Sequence, residues 1–423
     1  MPDEVELEIE ALGAQGDGIA RWAGETVYVP LALPGERVRA RLGRPRGEGR
    51  AAELKALVRQ SRERVDPPCP HFPSCSGCRL QHLRAQGYDN WKRDVLETAL
   101  RHQGLSPSVI APMLTVPLRS RRRTRLAAER GAEGLALGFR ERASRRVADI
   151  ASCLVLRPEI TALIAPLRAL LEALLRVREG AELPIALLDD GIDLVIAAKR
   201  APTLSEREAL SAFAHEHDLA RLSWQQAPGR PEPIVQRRAG LIRFGRVSVR
   251  LPPDAFLQAT REAEAALREL VEAEVGEDIR SIVDLYCGAG AFSFALAERA
   301  RVLAVDKDEA MIGSLDAAAR TAGLAHRVLA QARDLERRPL IASEFDSFDA
   351  VLLDPPRGGA ARQVKEIVRA RTPLVLMVSC NPASFARDAR LLIEGGYAMG
   401  TIHPIDQFLF TPHLEIFAAF RRN

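Results

Sequence analysis

Two side chains near the C-terminus have the types that covalent catalysis requires. Cys380 follows the apolar run Leu374 to Ser379, and Glu415 opens another, Ile416 to Phe420. A buried cysteine at a strand end is commonly inert, and a glutamate at a strand start is commonly a surface residue. Placed together beside a methyl donor they could do chemistry that neither does alone. A thiolate that adds to C6 of uracil makes C5 nucleophilic enough to take a sulfonium methyl, and a base that then removes the C5 proton lets the thiolate leave. An apolar setting would raise the carboxylate's pKa and suit it to that proton transfer.

A donor site is legible upstream. The strand Ile282-Val283-Asp284-Leu285 runs into Tyr286-Cys287-Gly288-Ala289-Gly290, and the next strand, from Arg301 to Val305, ends at Asp306. Glycines at such a turn admit a ligand close to the backbone, and an acid at the second strand tip can accept from ribose hydroxyls. Ser293 stands where a dinucleotide fingerprint has its third glycine. A nucleoside donor without a pyrophosphate, such as S-adenosylmethionine, therefore fits better, with a dinucleotide and a purely structural glycine turn left open. Asp354-Pro355-Pro356-Arg357 closes a further strand and predicts a stiff acceptor in the ligand crevice. It is not the Asn-Pro-Pro-Tyr of amino-group methylation.

The cysteines form a second pattern. Cys69, Cys75 and Cys78 are spaced x5 and x2, with Cys153 far downstream. Six cysteines in a chain of this size do not read as a disulfide framework. The spacing leaves zinc, with His71 as a further ligand, and an iron–sulfur cluster equally open, and free thiols as a third reading.

The elements that must position these groups follow from patterning. Apolar runs at 281–286, 301–305, 327–331, 348–353 and 373–379 alternate with helical stretches, which predicts an α/β fold with a parallel sheet covered on both faces. Residues 399–420 predict an antiparallel closing pair. The first 60 residues alternate in short strands, as in Val5 to Ile9 and Thr26 to Pro30, with turns at Gly16-Asp17-Gly18 and Pro34-Gly35, the pattern of a small β-barrel. Tyr88 to Gln103 has helical spacing and stops before Gly104, and strands are predicted at 122–128 and 135–140.

At 423 residues, two or three domains are expected. No apolar run reaches the roughly 18 residues of a membrane span and the N-terminus is acidic, so a cytoplasmic protein is expected. The net charge is only +4, and just five of the 60 basic residues are Lys, which codon bias would explain as readily as phosphate recognition. Residues 111–150, however, hold ten Arg (119, 121, 122, 123, 125, 130, 140, 142, 145 and 146) against four acids, which marks a candidate anion-binding face.

Taken in order, Cys69-x5-Cys75-x2-Cys78, Asp284-Leu-Tyr-Cys-Gly-Ala-Gly290, Asp354-Pro-Pro-Arg357, Ser379-Cys-Asn-Pro382 and Thr411-Pro-His-Leu-Glu415 resemble the RNA uracil-5-methyltransferase family. The likeness is greatest to its bacterial 23S rRNA branch, which carries an N-terminal TRAM domain and a 4Fe-4S cluster. The resemblance implies a class I S-adenosylmethionine methyltransferase fold with a mostly parallel seven-stranded sheet. To this it adds an OB-like TRAM barrel at 1–62 and a central α+β iron–sulfur domain at 63–84 and 115–261. The catalytic domain is then discontinuous, 85–114 and 262–423. Cys380 matches the family's nucleophile and Glu415 its proton acceptor. Gln258, Tyr286, Asp306, Asp334 and Asp354 match its cofactor set beside the Gly288 and Gly290 turn, and Asp354 also positions uracil. Cys69, Cys75, Cys78 and Cys153 match its cluster ligands, which favours iron–sulfur over zinc. Arg119, Arg121, Arg122, Arg123 and Arg125 resemble its basic stretch for RNA. The implied partner is RNA, 23S rRNA in this branch, with no membrane and no obligatory protein partner.

Some positions depart from the family pattern. Thr260 stands for an Asn, Ala291 for a polar residue near the methionine moiety, and Asp306 for a longer Glu; an Asn expected near Ala317 to Arg320 is missing. Other readings stay open: methylation of tRNA, or a non-catalytic RNA-binding protein with a relict methyltransferase fold. Cytosine methylation is disfavoured, because Cys380 follows Ser379 rather than a Pro.

Overall fold

The computed structural model describes residues 4–106, 109–142, 144 and 146–422. Arg145, one of the ten clustered arginines, lies outside the described residues. Six strands between Glu4 and Arg59 form one sheet that curls around Val5, Leu7, Val27, Val29, Val38 and Ala40. Alternation along each strand sends every second side chain inward, as in Glu4–Glu8, where Val5 and Leu7 are buried between exposed glutamates.

A second sheet of seven strands spans Arg123–Arg130 to Glu232–Gln236. The helices Ile164–Leu174 and Leu204–Glu216 share its core through Leu167, Leu171, Leu210 and Phe213. The cysteine segment between the barrel and this sheet is irregular. An isolated bridge from Cys75 to Glu141 ties it to the hairpin that follows Leu135–Arg140.

Helix α1 (Ala85–His102) links the parts. Its buried positions, Tyr88, Trp91, Lys92, Leu96 and Leu100, recur three and four residues apart and so form one stripe. Leu96 and Leu100 pack in the core of the last third with Phe385 and Leu392. Tyr88 and Trp91 instead meet Leu33 of the barrel segment and Leu80 of the cysteine segment.

The last third begins with α2 (Arg261–Glu274), capped by the Thr260 hydroxyl, which accepts from Ala263 N–H at 3.1 Å. Strands β1 (Ser281–Leu285), β2 (Arg301–Asp306), β3 (Val328–Ala332), β4 (Ala350–Leu353) and β5 (Leu374–Ser379) pair in parallel. Helices α3 (Glu309–Thr321), α4 (Ala361–Ala370) and α5 (Pro382–Glu394) provide crossovers. Strands β6 (His403–Asp406) and β7 (Glu415–Arg422) close the sheet antiparallel, giving the order β3-β2-β1-β4-β5-β7-β6.

Two expectations change. The sheet has nine strands, because Leu114–Thr115 adds in parallel to the β6 edge and Tyr397–Met399 pairs with the end of β7. The hairpin Leu241–Phe244/Val247–Arg250 was expected in the central domain, yet Ile242, Phe244, Val247 and Val249 pack in one cluster with Leu267, Ile282 and Leu315. Burial of that apolar face decides where the unit begins.

Candidate active site

Parallel pairing brings the carboxyl ends of β1, β4 and β5 to one edge, so Tyr286, Asp354 and Cys380 emerge side by side. The antiparallel β7 supplies the fourth group. Ser379 pairs with Ile416, so the residue after Ser379 and the residue before Ile416 sit opposite each other. Those residues are Cys380 and Glu415, and register alone makes them neighbours.

Local chemistry holds Cys380 in place. Asn381 caps α5, its Oδ1 accepting from Ala383 N–H at 3.1 Å, and Pro382 occupies the first helical turn. The Asn381 amide also donates to the Arg357 carbonyl at 3.0 Å and so ties the Asp354-Pro-Pro-Arg357 loop to the cysteine. Burial, with Glu415 and Asp354 nearby, pushes the half-buried thiol up to about 11, against a smaller opposing pull from Arg357. The resting nucleophile is therefore a thiol.

Glu415 is only 2% exposed, and burial raises its carboxyl to about 7 despite the Gln407 hydrogen bond and Arg123. Asp354 is held well above the ordinary carboxylate range by burial first and by the nearby Glu415, Asp284 and Asp306 carboxylates second. Between them run two amides. Gln258 Nε2 donates to Asp354 Oδ2 at 3.2 Å, and Gln407 Nε2 donates to Gln258 Oε1 at 2.8 Å and to Glu415 Oε2 at 2.7 Å. Gln407 is a functional candidate that the sequence did not disclose; its only signal was a polar residue following a strand end in an otherwise apolar segment.

The loop from Asp406 to Glu415 is anchored by α1 and by the cysteine segment. Buried Lys92 of α1 donates to Asp406 Oδ1 at 2.8 Å and also reaches the His413 carbonyl. Tyr88 donates to Asp406 Oδ2 at 2.7 Å and accepts from Phe410 N–H at 2.8 Å, while Arg79 N–H donates to the Phe410 carbonyl at 2.7 Å.

At the donor side, Gly288 has φ +55 and Gly290 φ +92; a Cβ on Gly290 would lie 2.9 Å from Leu315 Cδ1 and Phe294 Cε2. Asp306 ends β2 with Oδ2 accepting from Gly288 N–H at 3.1 Å and Oδ1 from Asp308 N–H at 2.9 Å. Asp334 stands past β3, where its Oδ1 accepts from Glu336 and Arg337 N–H at 3.0 and 3.2 Å. Ser293 donates to buried Asp284 at 2.5 Å, which holds the turn closed, and the helix it opens has only four residues, Ser293–Leu296. So short a helix offers little of the dipole that a pyrophosphate site uses. A strand-tip carboxylate, a glycine turn and the Gln258 amide instead suit the ribose and methionine parts of a nucleoside donor.

The basic run does not present one face. Arg122 is 1% exposed; it ion-pairs with Glu264, and its Nε donates to the Gln258 carbonyl at 3.1 Å. It pins the central sheet to the site, which corrects its expected place on an RNA surface. Arg123 lies over the Phe256 ring at 4.2 Å and Arg121 over Phe408 at 5.9 Å, whereas Arg125 pairs with Asp254 at 2.6 Å. Arg119 is exposed in a positive-φ turn.

Cys69, Cys75, Cys78 and Cys153 line one small cavity with His71, Gln81 and Arg121. Burial and the neighbouring sulfurs raise Cys75, Cys78 and Cys153, with Cys78 at about 12. Among the described residues, no three His, Cys, Asp or Glu side chains converge as one metal ion requires.

A cleft of about 830 Å³ leads to Cys380 between the barrel turn Glu10–Gln15, α1, Arg357 and His413. No helix among the described residues is long and apolar enough to cross a membrane.

Residues 245–422 match the tRNA (Uracil-5-)-methyltransferase family and residues 3–44 the TRAM domain. The chain is similar to an RNA methyltransferase of Caulobacter vibrioides, 40% identical over 99% of this chain and 100% of the relative. It is 36% identical to the 23S rRNA (uracil(1939)-C(5))-methyltransferase RlmD of Chromohalobacter salexigens, over 99% and 89% of the two chains. The crystal structure of Pyrococcus abyssi tRNA (uracil-54, C5)-methyltransferase with S-adenosyl-L-homocysteine shares the fold, with a TM-score of 0.77 over 98% of this chain and 100% of that one at 24% identity.

Proposed function

The chain belongs to the RNA uracil-5-methyltransferase family, an S-adenosylmethionine-dependent enzyme family, and on that premise we propose that it methylates C5 of a uridine in 23S rRNA. The observation that carries the chemistry is the register that sets Cys380 opposite Glu415. The likeness to the Chromohalobacter enzyme supports the ribosomal substrate.

When bound, S-adenosylmethionine supplies an electrophilic methyl group. Gln258, Tyr286, Asp306, Asp334 and Asp354 would hold it. The target uridine leaves its stack and enters the cleft, at a cost of about a few kcal/mol. Cys380 gives up its thiol proton to solvent, the thiolate forms a bond to C6, and the electron pair of the C5–C6 double bond moves toward O4. Asp354, whose carboxyl burial holds well above the ordinary carboxylate range, is the donor that, in its protonated form, meets the oxygen that gains charge. C5 would then take the methyl group as its bond to the sulfonium sulfur breaks and S-adenosylhomocysteine is left. Glu415 accepts the C5 proton, the double bond re-forms, and the Cys380–C6 bond breaks. The ionised Glu415 is suited to this because only Oε2 accepts from Gln407, and Oε1 has no hydrogen-bond partner among the described residues.

Cys69, Cys75, Cys78 and Cys153, which line one cavity, would hold a 4Fe-4S cluster with a structural role. They join the segment after the barrel to the central sheet, and Arg79, next to Cys78, reaches the catalytic loop at Phe410.

The test is transfer of labelled methyl to 23S rRNA and tRNA transcripts, with the product mapped as 5-methyluridine. Cys380→Ala is expected to abolish transfer and keep RNA binding; full activity in that variant overturns the mechanism. Methylation of tRNA alone reassigns the substrate.

A further inference from the structure

The arginine run near residue 122 is largely spent on internal contacts, so phosphate recognition needs another surface. Four arginines from distant parts of the chain meet at the lip of the cleft. Arg46 of the barrel and Arg142 of the central hairpin both pair with Asp17, a residue 1% exposed. Arg79 donates to the Gln15 carbonyl at 3.0 Å. Gln15 lines the 830 Å³ cleft and also a cavity of about 420 Å³ along the barrel edge that Arg46 borders. Arg79 and Arg142 line a further cavity of about 170 Å³ beside Glu141, and Arg357 lines the cleft next to Cys380.

Four guanidinium groups thus face two carboxylates, Asp17 and Glu141, and Asp17 is enclosed. His413 at the same lip is pushed down to about 4 by burial and by Arg357, Lys92, Arg79 and Arg121. Glu10, Glu63 and Asp94 also line the cleft, Asp94 from α1. A polyanion is attracted where the arginines gather and repelled at these acids.

We infer that Arg46, Arg79, Arg142 and Arg357 form a cradle for RNA backbone phosphates flanking the uridine that enters the Cys380 cleft. This rests on the reading above that the substrate is RNA, and it adds the path of the strand: along the arginine lip, away from these acids. Forked guanidinium donors suit phosphate oxygens, and a set drawn from the barrel, the cysteine segment, the central hairpin and the catalytic loop is complete only when these are docked.

The experiment titrates the full-length holoenzyme with a fluorescein-labelled, uridine-containing RNA hairpin over a salt series, for wild type, Arg79→Gln, Arg142→Gln and the double variant. Each lost phosphate contact is expected to flatten the slope of log K against log salt by about 0.7 and to weaken binding about fivefold at 0.1 M salt. At saturating RNA, kcat stays near wild type while KM rises. Asp94→Asn leaves the slope unchanged. Should Arg142→Gln fail to fold, Arg79→Gln and the charge-keeping Arg142→Lys, with a wild-type slope, carry the test. A double variant that binds with wild-type affinity and slope overturns the cradle. Wild-type protein that binds with a steep salt slope lost in the double variant, yet transfers no methyl group, overturns the assigned activity and leaves the cradle standing.

Discussion

Gln407 Nε2 donates to Glu415 Oε2 at 2.7 Å, and both side chains are only 2% exposed. The amide cannot be flipped, because its Oε1 accepts from Ala259 N–H at 3.0 Å and a backbone N–H can only donate. Gln407 thereby ties the proposed base to Gln258 and, one bond further, to Asp354. Among the described residues this chain of two amides joins two carboxyl groups with no cation hydrogen-bonded to either, and the pair retains a proton where isolated carboxylates would not.

The pH dependence follows. Glu415 must be ionised to accept the C5 proton, so kcat is expected to rise with an apparent pKa near 7, and Glu415→Gln to accumulate a covalent RNA adduct visible on denaturing gels. A flat profile from pH 5 to 8 contradicts the assignment.

Stability has the opposite sign. A carboxyl raised from 4.5 to about 7 on folding binds its proton more tightly in the folded chain, so its contribution is fully present below about 4.5 and lost as pH rises through 7. The loss is on the order of 3 kcal/mol. Glu415→Gln is therefore expected to melt higher than wild type at pH 8 and level with it at pH 4; equal melting at both pH values refutes a buried, raised carboxyl.

Gln407→Met keeps the length of the side chain and removes its polar ends. Ala259 N–H and Gln258 Oε1 lose their partner, a penalty of about 1–3 kcal/mol, and Glu415 loses the donor that favours its ionised form. The pH midpoint of kcat is expected to move upward while Gln407→Glu fails to restore it, since a carboxylate cannot donate to Glu415. An unshifted midpoint removes Gln407 from the site.

Lys92→Met should strand Asp406, whose buried carboxylate would keep only Tyr88 and the Phe408 N–H. Breaking such a pair costs about 3–5 kcal/mol. Unfolding in urea should show that loss, kcat should fall as the Asp406–Glu415 loop loosens, and Lys92→Met with Asp406→Asn should recover part of the stability. A double variant no better than the single one denies the coupling.

Anaerobically purified protein is expected to show a broad visible absorption that fades on reduction, and to lose it with Cys78→Ser. Colourless protein carrying stoichiometric zinc reverses the cluster reading.

Much of the chemistry was legible in the chain. Strand alternation and the glycine turn announced the sheet, because period and φ demands are local properties. Cys380 and Glu415 stood out because each adjoins an apolar strand. Gln407, Lys92 and Tyr88 did not, since a buried polar residue carries no mark in sequence of the partner that satisfies it. Arg122 shows the converse: in sequence it belongs to a basic run, and only its 1% exposure and its pairing with Glu264 turn it into an internal tie.

The sequence by itself determined which groups exist and which strand ends carry them. Tertiary structure decided the rest: the antiparallel register that sets Ser379 against Ile416, the anchoring of the catalytic loop by α1, and the meeting of Arg46, Arg79, Arg142 and Arg357. The reason is physical. Strand and helix preferences act over a few residues, whereas charge and hydrogen bonding act through space, and the distances that govern them are set only when separate hydrophobic cores pack together.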